Sequence, residues 1–240
     1  MMNNYLDRKK DIENTIIFVE GISDLAFLSL LLKRWNNYEY VEDLKVLKPR
    51  KGMKCTLYNA KSNNIIIFSV GGVENFNYAY NLLKPQINSS STKNVVMIID
   101  NDLNDEEKIL NNLNLNMNLQ ANKWFVSKII DDYEEEKELN MYIKIIPEGK
   151  IGALETVLID AVRKTEEDIT LSAVNYIDNL NDIESKYISK KRLNLKAKTG
   201  VIFNLLSPDK TFDALQKKFE LINIDDESII DNFGFLKKVI

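Results

Sequence analysis

Four carboxylates stand where they could do chemistry together. Glu20 and Asp24 sit in the string Glu20-Gly21-Ile22-Ser23-Asp24, directly after a short apolar run, and Asp100 and Asp102 flank Asn101 after another. Carboxylates brought close repel unless a cation binds or some take up protons. A hard divalent ion with oxygen ligands, Mg2+ or Mn2+, answers that repulsion and supplies phosphoryl chemistry. Composition removes most competitors. The chain has no histidine, which excludes Ser-His-Asp triads, Cys-His proteases, imidazole zinc sites and nucleases built on a His base. A single cysteine, Cys55, excludes disulfides and thiolate zinc sites and fits a reducing cytoplasm. Carboxylates, lysines, hydroxyls and a bound metal remain.

The elements that must position these groups follow from apolar runs and their stops. Thr15–Val19, Ile65–Val70 and Val95–Ile99 are β-branched and aromatic, which predicts strands buried on both faces. The first stops at Glu20-Gly21, the second at Gly71-Gly72, the third at Asp100-Asn101-Asp102. Helices are expected over Asp24–Trp35, with Ser23 as N-cap, and from Glu74 to about Leu83, ending before Pro85. Another begins near Asp105. Trp124–Ile130 and Met141–Ile146 read as strands separated by a solvated acidic segment, Asp131–Glu138. Alternating strands and helices predict an α/β fold with a mostly parallel sheet over residues 1–150. A mainly helical extension follows over 151–240. Ligands of such sheets sit beyond the carboxyl ends of the strands. Residues two apart on a strand share a face, so Asp100 and Asp102 are expected to act as one unit. Gly21, Gly71 and Gly72 are expected to leave room for a bulky anion. Against this stands a plainer reading, in which an acidic residue at a strand end caps the next helix.

Taken in order, Ile17-Phe18-Val19-Glu20-Gly21 with Asp24, then strand-Gly-Gly, then Ile98-Ile99-Asp100-Asn101-Asp102, resembles the Toprim domain of topoisomerases, bacterial primases, OLD-type nucleases and small stand-alone bacterial proteins. The resemblance covers about residues 12–130 and implies a Rossmann-like Toprim sheet. By that resemblance Asp100, Asp102 and Asp24 hold Mg2+ or Mn2+, and Glu20 is a further ligand or the acid/base group. Gly152-Ala153-Leu154-Glu155 resembles a Gly-x-Leu-Glu of the OLD-like and stand-alone branch, making Glu155 part of a second metal site. Lys196-Ala197-Lys198 resembles a late Lys-Ala-Lys segment, with Lys196 and Lys198 stabilising phosphate charge. Leu103-Asn104 stand where many Toprim sequences carry Gly, which distances the chain from the topoisomerase and primase branches.

The activity implied is metal-dependent phosphodiester cleavage of DNA or RNA, in phage defence or nucleic-acid processing. The alternative is a catalytically inactive Toprim interaction or sensor module of a larger defence complex. The same resemblance suggests a partner ATPase or a homo-oligomer. Net charge is −4, so nucleic acid must be met by local basic faces. Lys186, Lys190, Lys191, Arg192, Lys196 and Lys198 form one such face, read either as a solvated helix surface or as a phosphate-backbone contact. Lys45, Lys48, Arg50, Lys51 and Lys54, in a loop, form a second. No apolar run is long enough to span a membrane, and no phosphate-binding Gly-x-x-x-x-Gly-Lys-Ser/Thr motif is present. A cytoplasmic location is expected.

Overall fold

The structure is a computed structural model that describes residues 13–46, 49–60, 63–88, 91–102, 105–115, 117–130, 134–180, 187–188, 190–210 and 215–238. The chain divides into two compact units. One comprises residues 1–145 and 236–240, the other residues 146–235.

The first unit is built on a mixed seven-stranded sheet in the order β2-β3-β4-β1-β5-β7-β6. Its strands are β1 (Glu13–Val19), β2 (Glu39–Leu44), β3 (Met53–Ala60), β4 (Asn63–Val70), β5 (Thr92–Asp100), β6 (Trp124–Ile130) and β7 (Glu136–Ile146). β4 and β5 flank β1 in parallel, with Val19 opposite Ser69 on one side and Ile98 on the other. β3 is antiparallel to β4 and to β2, so β2, β4, β1 and β5 all point one way. β6 is antiparallel to β7.

The three anticipated apolar runs are the three central strands, and their interiors are buried without alternation. Helices on both faces explain this. On one face Ile16, Phe18, Phe68 and Met97 join Phe76, Ala79 and Leu83 of α2 (Phe76–Asn88) in one core. Phe18 and Phe68 meet edge to face at 6.0 Å. α1 (Ile22–Asn36) packs on β4, β1 and β3 through its own buried leucines and Phe27.

Several expectations are corrected. β2 and β3 went unforeseen, because β2 (Glu-Tyr-Val-Glu-Asp-Leu) is a charged edge strand with little buried surface. α1 starts at Ile22 with Gly21 as N-cap, which puts Ser23 inside the first turn. Pro85 lies within α2 rather than ending it. Glu136–Glu138 belong to β7, where Lys128 of β6 donates to Glu136 across the ladder, so only part of the acidic segment is a connection. Lys48, Leu103, Asn104 and Lys186 lie outside the described residues, as do Asp131, Asp132 and Tyr133.

The second unit is helical: α4 (Leu154–Thr165), α5 (Glu167–Asp178), α6 (Lys191–Leu206), α7 (Leu215–Lys218) and α8 (Glu227–Phe233), α3 (Glu106–Asn112) being the last helix of the first unit. α4 packs against α5, α6 and α8, and α5 against α6. Among the described residues no helix is long and apolar enough to cross a membrane.

Candidate functional site

Strand direction gathers the first unit's chemistry on one edge. The ends of β1 (Val19), β4 (Val70) and β5 (Asp100) are adjacent there. The β2–β3 connection reaches the same edge, because Leu44 lies opposite Cys55 and Met53 opposite Val70.

Glu20 is the centre of this edge and is 3% exposed. Its backbone carbonyl accepts from the amides of Gly71 (2.9 Å) and Gly72 (3.0 Å) at the end of β4. Its carboxylate Oε1 accepts from the amide of Asp100 at 2.9 Å on the other side. The register explains the second bond. The β1–β5 ladder ends at Val19 opposite Ile98, and β5 runs on for two residues. A buried amide must find an acceptor, and the Glu20 side chain takes the place of the missing strand. Glu20 is thus fixed from both neighbouring strands.

Asp100 is also buried, at 5% exposure, whereas Asp102 is exposed. β5 ends at Asp100, so Asp102 lies in the bend beyond it and the two do not share a strand face. The expected Asp-x-Asp unit is corrected in that respect. Asp24 is buried, and its carboxylate accepts from the amide of its own helix N-cap, Gly21, at 2.8 Å. The plainer role, a cap, is one that Asp24 performs.

The glycines do something other than open space for an anion. Gly71, at φ +76°, lies so close to the β2–β3 turn that a Cβ there would be 2.2 Å from the Lys51 carbonyl oxygen. A Cβ on Gly72 would be 2.7 Å from the Glu74 carboxylate, and one on Gly21 would be 3.0 Å from that of Asp24. The room is taken by the chain itself. Gly71 is required so that the turn before β3 can seat on the end of β4.

That turn carries Arg50. Its Nη1 donates to Asn75 Oδ1 at 2.6 Å, and its guanidinium stacks on the Tyr78 ring at 4.1 Å. Asn75, 5% exposed, in turn donates to the Gly71 carbonyl at 3.2 Å. Of the other basic residues expected in a loop, Lys54 lies in β3 instead and pairs with Asp43 at 3.1 Å, and Lys45 and Lys51 are exposed. Asn75, Glu74 and the buried Lys144 of β7 carried no signal in the sequence. The long-range register brings Asn75 and Glu74 to the edge, and no local pattern encodes it.

In the second unit Glu155 is buried in the first turn of α4, with Lys196 of α6 at 4.0 Å. Lys198 pairs with Asp178 of α5 at 2.6 Å. Lys190 and Lys191 are exposed at the start of α6, and Arg192 is half-buried.

A divalent ion can be tested against this donor set. Glu20, Asp24, Asp100 and Asp102 are hard oxygen donors, the chemistry that Mg2+ and Mn2+ take. Among the described residues, however, no group of three or more carboxylates stands close enough to hold an ion. The fit is therefore one of donor chemistry and of location on one edge.

A protein-family model described as "Protein of unknown function (DUF3226)" matches residues 14–239. No curated protein matches the chain. Among solved structures, a hypothetical protein from Pyrococcus horikoshii OT3 is 11% identical, with 95% of this chain and 99% of that one covered at a TM-score of 0.47. A protein of unknown function from Thermoplasma acidophilum is 11% identical, with 90% and 94% covered at a TM-score of 0.31.

Proposed function

The chain belongs to the DUF3226 family of proteins of unknown function, and we propose that it is a divalent-metal-dependent phosphodiesterase of the Toprim type, cleaving DNA or RNA. The observation that carries this reading is the pairing of Glu20 with Asp100. Two buried acidic residues at the carboxyl ends of adjacent parallel strands are tied by the 2.9 Å bond from the Asp100 amide to Glu20 Oε1. Ligands of parallel sheets bind beyond those strand ends.

In this reading Asp100, Asp102 and Asp24 hold Mg2+ or Mn2+. The bound ion would polarise a phosphoryl oxygen and lower the pKa of water. Glu20 contributes orientation, because its carbonyl and its carboxylate are both pinned by backbone amides. A carboxylate fixed in this way can hold a proton at a defined position as acid or base, or serve as a further ligand. In the second unit the buried Glu155 would serve a second ion, and the exposed Lys196 beside it, or Lys198, phosphate charge.

A second reading, a catalytically inactive interaction or sensor module, is favoured by two observations. The carboxylates of Glu20 and Asp24 already accept from backbone amides, and no three-carboxylate group stands among the described residues. A thermal-shift titration with Mg2+ and Mn2+, run beside a cleavage assay on single- and double-stranded DNA and RNA, separates the two. The enzyme reading expects the ions to raise the Tm, most of that rise to vanish in Asp100→Asn, and cleavage to disappear with it. An equal rise in Asp100→Asn would move the ion elsewhere. No cleavage by the wild type with Mn2+ on any of the four substrates would favour the module.

A further inference from the structure

The basic loop between β2 and β3 is the motif that the proposed chemistry leaves unused. Its position follows from register alone. β2 ends and β3 begins on the carboxyl edge of the sheet, so residues 49–52, just before β3, stand at the same edge as Glu20 and Asp100. This end of the loop is also fixed there. Gly71 admits the Lys51 carbonyl where no side chain would fit, and Ser69 Oγ donates to the Gly52 carbonyl at 2.9 Å.

Among the described cations of this segment one is held differently from the others. Arg50 is exposed, yet its guanidinium rests on Tyr78 and is gripped by the buried Asn75. Asn75 bonds the Gly71 carbonyl, and the Gly71 amide bonds the carbonyl of Glu20. An unbroken hydrogen-bonded path thus runs from the guanidinium to the backbone of the central acidic residue. An arginine with one donor committed to Asn75 has further N–H groups for a phosphate, and its planar fork suits that ligand better than an ammonium does.

We propose that Arg50 is a backbone-phosphate clamp, with Asn75 as its positioning residue, and that the substrate is therefore a nucleic-acid strand rather than a mononucleotide or a small phosphate ester. The proposal rests on the phosphodiesterase reading for the position of the scissile bond. β3 lies two strands from β1, a lateral distance of about 10 Å. At a rise of about 3.4 Å per nucleotide that is roughly three nucleotides along a stacked strand. A ligand that spans this lateral distance from the end of β1 to the loop is a strand of that length.

The test uses the full chain, labelled 12-nucleotide DNA and RNA strands and a labelled dinucleotide, titrated in EDTA and in calcium across a salt series. The wild type is expected to bind the 12-mers much more tightly than the dinucleotide. Arg50→Ala should weaken 12-mer binding about 10-fold at low salt and flatten the plot of log K against log salt by about 0.7, the value for one single-strand phosphate. Arg50→Lys should restore the slope without the full affinity. Asn75→Ala should weaken binding while leaving the slope, because the charge stays and only its aim is lost. Wild-type affinity and slope in Arg50→Ala, or no 12-mer binding by the wild type in either buffer, would overturn the clamp. Should Arg50→Ala lose its melting transition, Arg50→Lys decides through its affinity. Cleavage with Mn2+ is scored separately. Binding that depends on Arg50 without cleavage sinks the enzyme and keeps the clamp, whereas cleavage with Arg50-independent binding does the reverse.

Discussion

Glu20 has one observed role and one proposed role, and substitution can separate them. Its carboxylate is the acceptor for a buried amide, so Glu20→Ala leaves the Asp100 N–H without that partner and should cost about 1–3 kcal/mol. Glu20→Gln keeps an oxygen acceptor and should cost less, yet on the phosphodiesterase proposal it should lower cleavage by about 100-fold or more, the usual scale for an acid/base group. Asp102, exposed beyond the strand end, should behave oppositely: Asp102→Asn should change stability by less than ~0.5 kcal/mol, while the same proposal has it remove cleavage. Denaturant melts paired with activity measurements check all three, and a large stability loss in Asp102→Asn would mark it as structural. Cys55 gives a prediction independent of function. Burial, and then the nearby negative charge of Asp43, push its thiol up to about 12 from an ordinary 9.0. The folded chain therefore keeps the proton that the unfolded chain releases, and stability contributed below pH 9.0 declines as pH rises toward about 12. At pH 8 Cys55 should react with a thiol reagent only as fast as the protein opens. Rapid labelling of the folded chain would contradict its burial.

At the scale of elements, the turn before β3 depends on Gly71. A methyl group there would meet the Lys51 carbonyl at 2.2 Å, on a residue whose φ of +76° already disfavours any side chain. Gly71→Ala should cost at least the ~1–2 kcal/mol of the left-handed backbone and more for the displaced turn. A lower Tm with Arg50 shifted off Asn75 would be the sign of it, and a fully stable variant would mean that the turn is not held as described. The same elements show what can be read from a sequence. β1, β4 and β5 are legible because strands covered on both faces are continuous apolar runs, and Glu20 and Asp100 come with them as the residues at which those runs stop. β2 is illegible because an edge strand needs no apolar face. The exposure of Asp102 was hidden for a related reason. Period-two alternation applies only while the strand lasts, and no residue pattern says that β5 stops at Asp100. Nor can spacing show that Arg50, Asn75 and Gly71 meet, since their contact depends on β3 returning antiparallel along β4.

For the whole molecule, chain connectivity and charge each lead to an expectation. The chain leaves the sheet unit at residue 145 and returns to it at residue 236, where Leu236 is fully buried and Lys237 lies over the Trp35 ring at 4.6 Å. Leu236→Ala should therefore cost about 2–5 kcal/mol, read as a fall in denaturant midpoint. Charge gives the sharper case. A net charge of −4 repels a polyanion at long range, so any binding must come from local cations and must weaken steeply with salt. Lys190 and Lys191 are exposed at the N-cap and first position of α6, the end of a helix where the backbone dipole already presents positive charge. For folding these lysines are on the wrong end. Reversing both to Glu should raise stability by about 0.3–1 kcal/mol per site, the usual range for a charge complementing a helix terminus. If they hold a nucleic-acid backbone, the same double variant should bind a single strand less tightly and flatten the salt plot by about 0.7 for each phosphate no longer neutralised. A purely solvated helix face would show the gain in stability with no change in binding. Measuring melting and strand affinity on one preparation of Lys190→Glu/Lys191→Glu thus tells a surface kept for a ligand from one that is merely wet. A double variant that binds like the wild type would leave Arg50 as the phosphate clamp argued from geometry.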